Sequence, residues 1–92
     1  MINQIDLPLK LEDLPNIGGS LADLLRESGI NTPDQLYETG AIQAFVRIRA
    51  VDSCVCFSKL CALEGAVEGI RWHGLSKDKK AELKHFFTLL KT

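Results

Sequence analysis

The chain has 92 residues, is 46% hydrophobic and 25% charged, and carries a formal net charge of −1. That is the make-up of one small soluble globular domain, burying roughly 60–65% of its unfolded surface. No apolar run approaches the ~18 residues of a membrane span, and "MINQIDLPLK" lacks the basic and apolar regions of a signal peptide. The expectation is a single cytoplasmic domain over 1–92 with no membrane partner.

Every periodic segment has a helical period, so the predicted fold is all-α: a compact bundle of five or six short helices. Residues 1–9 read as an extended arm restricted by Pro8. A short helix from Leu9 or Leu11 to Leu14 stops at Pro15, because proline disfavours the α conformation in the residue before it. Asn16 and Gly18 suit turn conformations with positive φ. A helix over 19–28 buries Leu21, Leu24 and Leu25 and ends at Gly29. In "NTPDQL", Thr32 caps, Pro33 takes the first helical position and Gln35 closes a capping box. That helix runs over 33–39 and ends at Gly40.

The next helix, over 41–50, turns Ile42, Phe45 and Val46 inward with Ile48 flanking. A long helix over 53–70 is apolar around most of its circumference, which marks a central helix covered on several sides. It holds Gly65 and Gly69, each costing roughly 1 kcal/mol against Ala. Close approach by the 18–28 helix or the C-terminal helix is the expected return. "RWHG" is the turn out. Ser76 caps a last helix over 77–91, with Leu83, Phe86, Phe87 and Leu90 spaced to face the core.

Cys54, Cys56 and Cys61 fall in the 53–70 helix. An odd count without an export signal argues against a disulfide framework, and C-x-C-x4-C is not a C-x2-C zinc pattern. Buried core cysteines are expected, with no metal and no cofactor. Cys61 with His73 or His85 is the one nucleophile–base pairing the chain offers, and nothing in the spacing positions it. The reading is therefore non-catalytic.

Three features carry the binding signals. The first is "LPNIGGSLADLL", Leu14 to Leu25. A helix that opens on glycines presents free N–H groups and the positive end of its dipole to a phosphate. Asn16, Gly18, Gly19, Ser20 and Arg26 are the candidate phosphate contacts. The plain alternative is a tight turn that only packs the leucine-rich helix, or a docking surface for protein. Charge opposes the phosphate reading. Residues 1–46 hold two basic against seven acidic residues, a net of −5, while 47–92 hold nine against five, a net of +4. The hairpin lies in the acidic half. The second feature is a candidate basic contact patch of Arg47, Lys77, Lys80 and Lys84. The opposed halves also make a homodimer a candidate. The third is Trp72, read either as a cap on the core edge with its indole N–H bonded to a carbonyl or as a partner anchor.

With Leu14, Pro15, Ile17, Gly18 and Ala22 in register, the hairpin resembles a helix-hairpin-helix motif, in which DNA-binding versions often carry Lys or Arg where Ser20 stands. From Leu11 to Leu90 the chain resembles the C-terminal domain of the bacterial TfoX/Sxy family, linked to regulation of competence for DNA uptake. The carriers are "LPNIGGSLADLL" with Gly29–Ile30, Thr32 and Leu36, "GAIQAFVRIRA" at Gly40–Ala50, and above all "ALEGAVEGIRWHGLS" at Ala62–Ser76. Many members carry a separate domain ahead of this one. The resemblance implies an all-helical domain with a regulatory, non-enzymatic role. The expectation is a binding module acting on an unidentified protein partner in a DNA-related or transcriptional setting. The alternative is direct, sequence-nonspecific DNA binding through the hairpin turn.

Overall fold

Capping side chains and glycines set several of the helix boundaries. The computed structural model describes residues 10–90; the arm expected over 1–9 lies outside them, as does the end of the last helix at residue 91. α1 spans Gly19–Glu27, α2 Pro33–Thr39, α3 Ala41–Val51, α4 Phe57–Glu68 and α5 Lys77–Leu90, with 3-10 turns at Leu11–Asp13 and Trp72–Gly74. The fold is all-α, with no strand among the described residues.

α1 ends as its sequence demands. The Gly29 N–H donates to the Arg26 carbonyl at 3.0 Å and the Ile30 N–H to the Leu25 carbonyl at 2.8 Å, the paired closure of a Schellman motif. At α2 the Thr32 hydroxyl accepts from the Gln35 N–H at 3.1 Å. The Gln35 side chain reaches one residue further back than a capping box requires, accepting from the Asn31 N–H at 2.6 Å. Ser76 caps α5 by accepting from the Lys79 N–H at 3.0 Å.

α4 is the central helix, packed against α3, α5 and the Trp72–Gly74 turn. Leu60, Cys61, Ala62, Leu63 and Ala66 are all buried there. It is shorter than the 53–70 expectation. Residues 53–56 form a loop, and Cys56 is the N-cap. Cys54 and Cys56 are consequently exposed, and Cys61 alone of the three is a core cysteine. An apolar, cysteine-rich run has no periodic break to show where the helix starts, so its hydropathy hid the loop.

Gly69 also lies outside the helix. It is the left-handed C-cap of α4, with φ 78° and ψ 25°. The Gly69 N–H donates to the Ala66 carbonyl at 3.2 Å, and the Ile70 N–H to the Gly65 carbonyl at 2.9 Å. Its glycine answers a backbone requirement, and a Cβ there would meet nothing within 4 Å. Gly65 does sit at a close approach, but neither α1 nor α5 makes it.

Three helix faces differ from expectation in which residues are buried. On α3 the buried stripe is Ala41, Ala44, Phe45 and Ile48, with Ile42 half-buried and Val46 exposed. Positions i, i+3, i+4 and i+7 form one face, and the small alanines complete it while Val46 falls about 100° away. On α1 the buried residues are Leu21, Ala22 and Leu25, with Leu24 half-buried. On α5 Leu83 is the buried residue, while Phe86, Phe87 and Leu90 pack half-buried against the core edge. The Phe87 ring lies 5.9 Å from that of Phe45 and 5.6 Å from that of Phe57. α5 is thus laid on one side of the molecule, against α4 with Phe87 reaching α3, and its outer face stays exposed.

Candidate functional site: the hairpin turn and the aromatic corner beside it

Pro15 forces Leu14 into an extended conformation, ψ 149°, which ends the first 3-10 turn. The chain then reverses at Asn16, whose φ of 71° is left-handed, a region asparagine tolerates better than most residues. The element before the reversal is the three-residue turn Leu11–Asp13. The two full helices of a helix-hairpin-helix are thus not both present among the described residues.

Asn16 is not turned toward a ligand. Its Nδ2 donates to the Ile70 carbonyl at 2.9 Å and to the Ala62 carbonyl at 3.4 Å. Its Oδ1 accepts from the Trp72 N–H at 3.1 Å. The side chain therefore spans from the hairpin to α4 and the next turn, satisfying backbone groups 46 to 56 residues away in sequence. It occupies the space beside Gly65. A Cβ at 65 would collide with Asn16 Nδ2 and lie 2.7 Å from the Ile70 carbonyl oxygen and 3.2 Å from Trp72 Cα.

Gly18, Gly19 and Ser20 are exposed at the open end of α1. Gly18 is the N-cap, with an extended φ of −94° and no side-chain cap. A Cβ at 18 or 19 would meet nothing within 4 Å, so no contact inside the chain requires glycine at either position. The cation expected to serve this turn is already engaged. Arg26 Nη2 pairs with Glu12 Oε1 at 2.6 Å and Nη1 with Asp23 Oδ1 at 3.3 Å. The Arg26 hydrogen bond holds the Glu12 carboxyl below the usual carboxylate range, and Glu12 in turn raises the guanidinium.

The predicted basic patch is only partly assembled. Lys77, Lys80 and Lys84 share one side of α5 by spacing. Lys84 Nζ stands 5.0 Å from the centre of the Phe57 ring, a cation–π contact. Burial pushes the Cys61 thiol up, while the charges of Lys80 and Lys84 act on it in the opposite sense. Arg47 is exposed on α3, and no hydrogen bond, ion pair or ring contact among the described residues ties it to that side.

Trp72 does not cap the core. It is 36% exposed, as is Ile70, and no hydrogen bond of its indole N–H is present among the described residues. Its ring stacks on His73 with centroids 4.0 Å apart and planes at 29°. Ile70, Arg71, Trp72 and His73 thus form an exposed corner whose backbone Asn16 fixes at two points.

Sequence reasoning missed one charged cluster. Glu64 on α4 faces Lys79 on α5 at 4.0 Å, and Lys79 also pairs with Glu82 at 3.4 Å. The Glu64 side chain is 13% exposed. Burial, with a hydrogen bond shared with Glu68, pushes its carboxyl up to about 7 against the opposing charge of Lys79. Spacing alone exposes the Glu64–Glu68 pair at i, i+4, but its depth depends on how α5 lies. Among the described residues no group of three or more His, Cys, Asp and Glu could hold a metal ion, and no helix is long and apolar enough to cross a membrane.

Comparison with known proteins places this geometry. The family model described as the TfoX C-terminal domain matches residues 8–87. Protein Sxy of Escherichia coli (strain K12) is 36% identical over 74 residues, covering 80% of this chain and 35% of that protein. The chain therefore spans about a third of the length of that relative. A crystal structure of an uncharacterized protein from Listeria monocytogenes, in a triclinic form, superposes with a TM-score of 0.88 at 54% identity, covering 89% of this chain and 93% of that one. A protein of unknown function from the same species, in a tetragonal form, gives 0.86 at 55% identity, covering 87% and 98%.

Proposed function

The chain belongs to the TfoX C-terminal domain family, and from that premise we propose that it is a non-catalytic, cytoplasmic regulatory module that acts on a protein partner in a DNA-related or transcriptional setting. The observation that carries this reading is the exposed corner Ile70–His73, held to the hairpin by the Asn16 hydrogen bonds. Exposed aromatic side chains on a fixed backbone make good anchors, because little conformational freedom is lost on binding. The acidic surroundings of the hairpin favour a protein over a phosphate backbone.

A second reading keeps direct DNA binding through the N–H groups of Gly18, Gly19 and Ser20. One observation favours it: the space above both glycines is open, as a closely approaching phosphate requires. The engagement of Arg26 by Glu12 and Asp23 stands against it. A second copy of the chain is also a candidate partner, because the two halves carry opposite charge; light scattering decides its presence.

Titration of labelled duplex DNA at about 50 and about 200 mM salt separates the first two readings, since each phosphate contact adds about 0.9 to the salt slope. The protein-partner reading expects no micromolar binding. Micromolar binding that weakens steeply with salt overturns it. Gly18→Asp then assigns the binding to the hairpin if it abolishes the signal, and replacement of Lys80 and Lys84 assigns it to α5.

A further inference from the structure

The loop at 53–56, between α3 and α4, leaves a cavity of 360 Å³ against α1. Leu24 of α1, half-buried, and Val55 of the loop, buried, give it an apolar lining. Three carboxylates stand around them: Asp23 and Glu27 from α1, and Asp52 where α3 ends. Lys59 of α4 is the one cation in the lining. Asp23 is engaged by Arg26, whereas Glu27 and Asp52 have no ion pair among the described residues. The 250 Å³ cavity that shares this loop has Arg49 as its only charged lining residue. Charge therefore distinguishes the two.

An apolar floor with carboxylates around it selects a particular chemistry. Clefts lined by one sign of charge against low-dielectric walls focus the field and draw the opposite charge. A phosphate or an acidic peptide is repelled here. Exposed ion pairs contribute little each, so the apolar contact supplies the affinity, and the carboxylates set selectivity and association rate. The matching ligand is an apolar side chain with positive charge on either side of it.

We infer that this cavity docks a basic segment of a partner protein: one aliphatic side chain seats on Leu24 and Val55, and flanking Lys or Arg residues reach Glu27 and Asp52. This rests on the protein-partner reading above, but it uses none of the residues of the Ile70–His73 corner.

The probe is the peptide acetyl-Lys-Arg-Leu-Lys-Arg-amide, titrated into isotope-labelled protein at about 50 mM salt and followed by backbone amide shifts. Shifts confined to residues 20–27 and 52–59 are expected, weakening as salt rises to about 200 mM. Serine in place of the leucine should weaken binding at least about tenfold. Glu27→Gln/Asp52→Asn should weaken it at least about fivefold. Asp34→Asn/Glu38→Gln, exposed on α2 and outside the cavity, should leave it unchanged. No shift, shifts spread over the whole acidic half, equal binding of the leucine and serine peptides, or equal loss in the two variants overturns the docking site. Shifts of the same amides on concentrating the protein without peptide make a second copy the occupant and overturn the partner segment. Trp72→Ala should not alter the titration, so failure here leaves the corner standing as an anchor, and a titration that Trp72→Ala weakens overturns this cavity as the site.

Discussion

The side chain of Asn16 fills the space that a Cβ on Gly65 would need. One residue supplies a left-handed turn and three hydrogen bonds, and the other supplies the absence of a side chain that lets it reach them. Gly65→Ala should gain about 1 kcal/mol in helix propensity and still destabilise the fold by about 1–3 kcal/mol. The overlap falls on the Ile70 and Trp72 backbone as well as on a side chain. Urea unfolding measures it, and a variant as stable as the parent removes the claim of close approach.

Asn16→Gly keeps the left-handed turn and loses the three bonds, so a loss of about 1–3 kcal/mol is expected. Asn16→Ala should lose more, since alanine at positive φ adds roughly 1 kcal/mol of strain. Because the partners touch, Asn16→Ala combined with Gly65→Ala should cost less than the two changes summed. An additive pair means that the two residues do not act on each other.

Trp72 is the sole tryptophan and is exposed, so its fluorescence should be red-shifted and readily quenched by acrylamide. Trp72→Ala should cost under about 1 kcal/mol, against about 3–5 kcal/mol for a buried aromatic. A blue-shifted, protected emission would place the ring inside.

These relationships show what a sequence of this kind exposes. The helix order, the Thr32 and Ser76 caps, the Gly29 stop and the left-handed Asn16 were all legible, because each is a local demand of the backbone met by a neighbouring residue. The family resemblance was legible in Ala62–Ser76 and its model match covers residues 8–87. What Gly65 accommodates was not, since its partner lies 49 positions earlier in sequence. Pattern reading supplied a helix there because helices are the usual cause of an interior glycine. Cys54 and Cys56 read as core residues of a 53–70 helix, and both owe their exposure to a loop boundary that apolar composition concealed. The ion pairing of Arg26 follows from the 3-10 turn bringing Glu12 beside α1, a tertiary placement with no local signature.

The Glu64 carboxyl sets a pH dependence. Its folded value near 7 exceeds the ordinary 4.5, so the folded state binds the proton more tightly. The associated stability is fully present below about pH 4.5 and is lost as pH rises through about 7. With solvent screening the change is on the order of 1–2 kcal/mol. Glu64→Gln, which stays neutral, should flatten the decline across that window. Thermal unfolding at about pH 5 and about pH 8 measures both proteins, and parallel declines contradict the assignment.

The proposed preference for a protein over DNA rests on Glu12 and Asp23 engaging Arg26 beside a turn that is open above Gly18 and Gly19. Anisotropy of a labelled DNA duplex at about 50 mM salt, with the parent protein and with Glu12→Gln/Asp23→Asn, tests it most directly. Freed Arg26 and two fewer negative charges should turn no micromolar binding into binding at least about tenfold tighter, lost again at about 200 mM salt. Identical behaviour of the two proteins contradicts the claim.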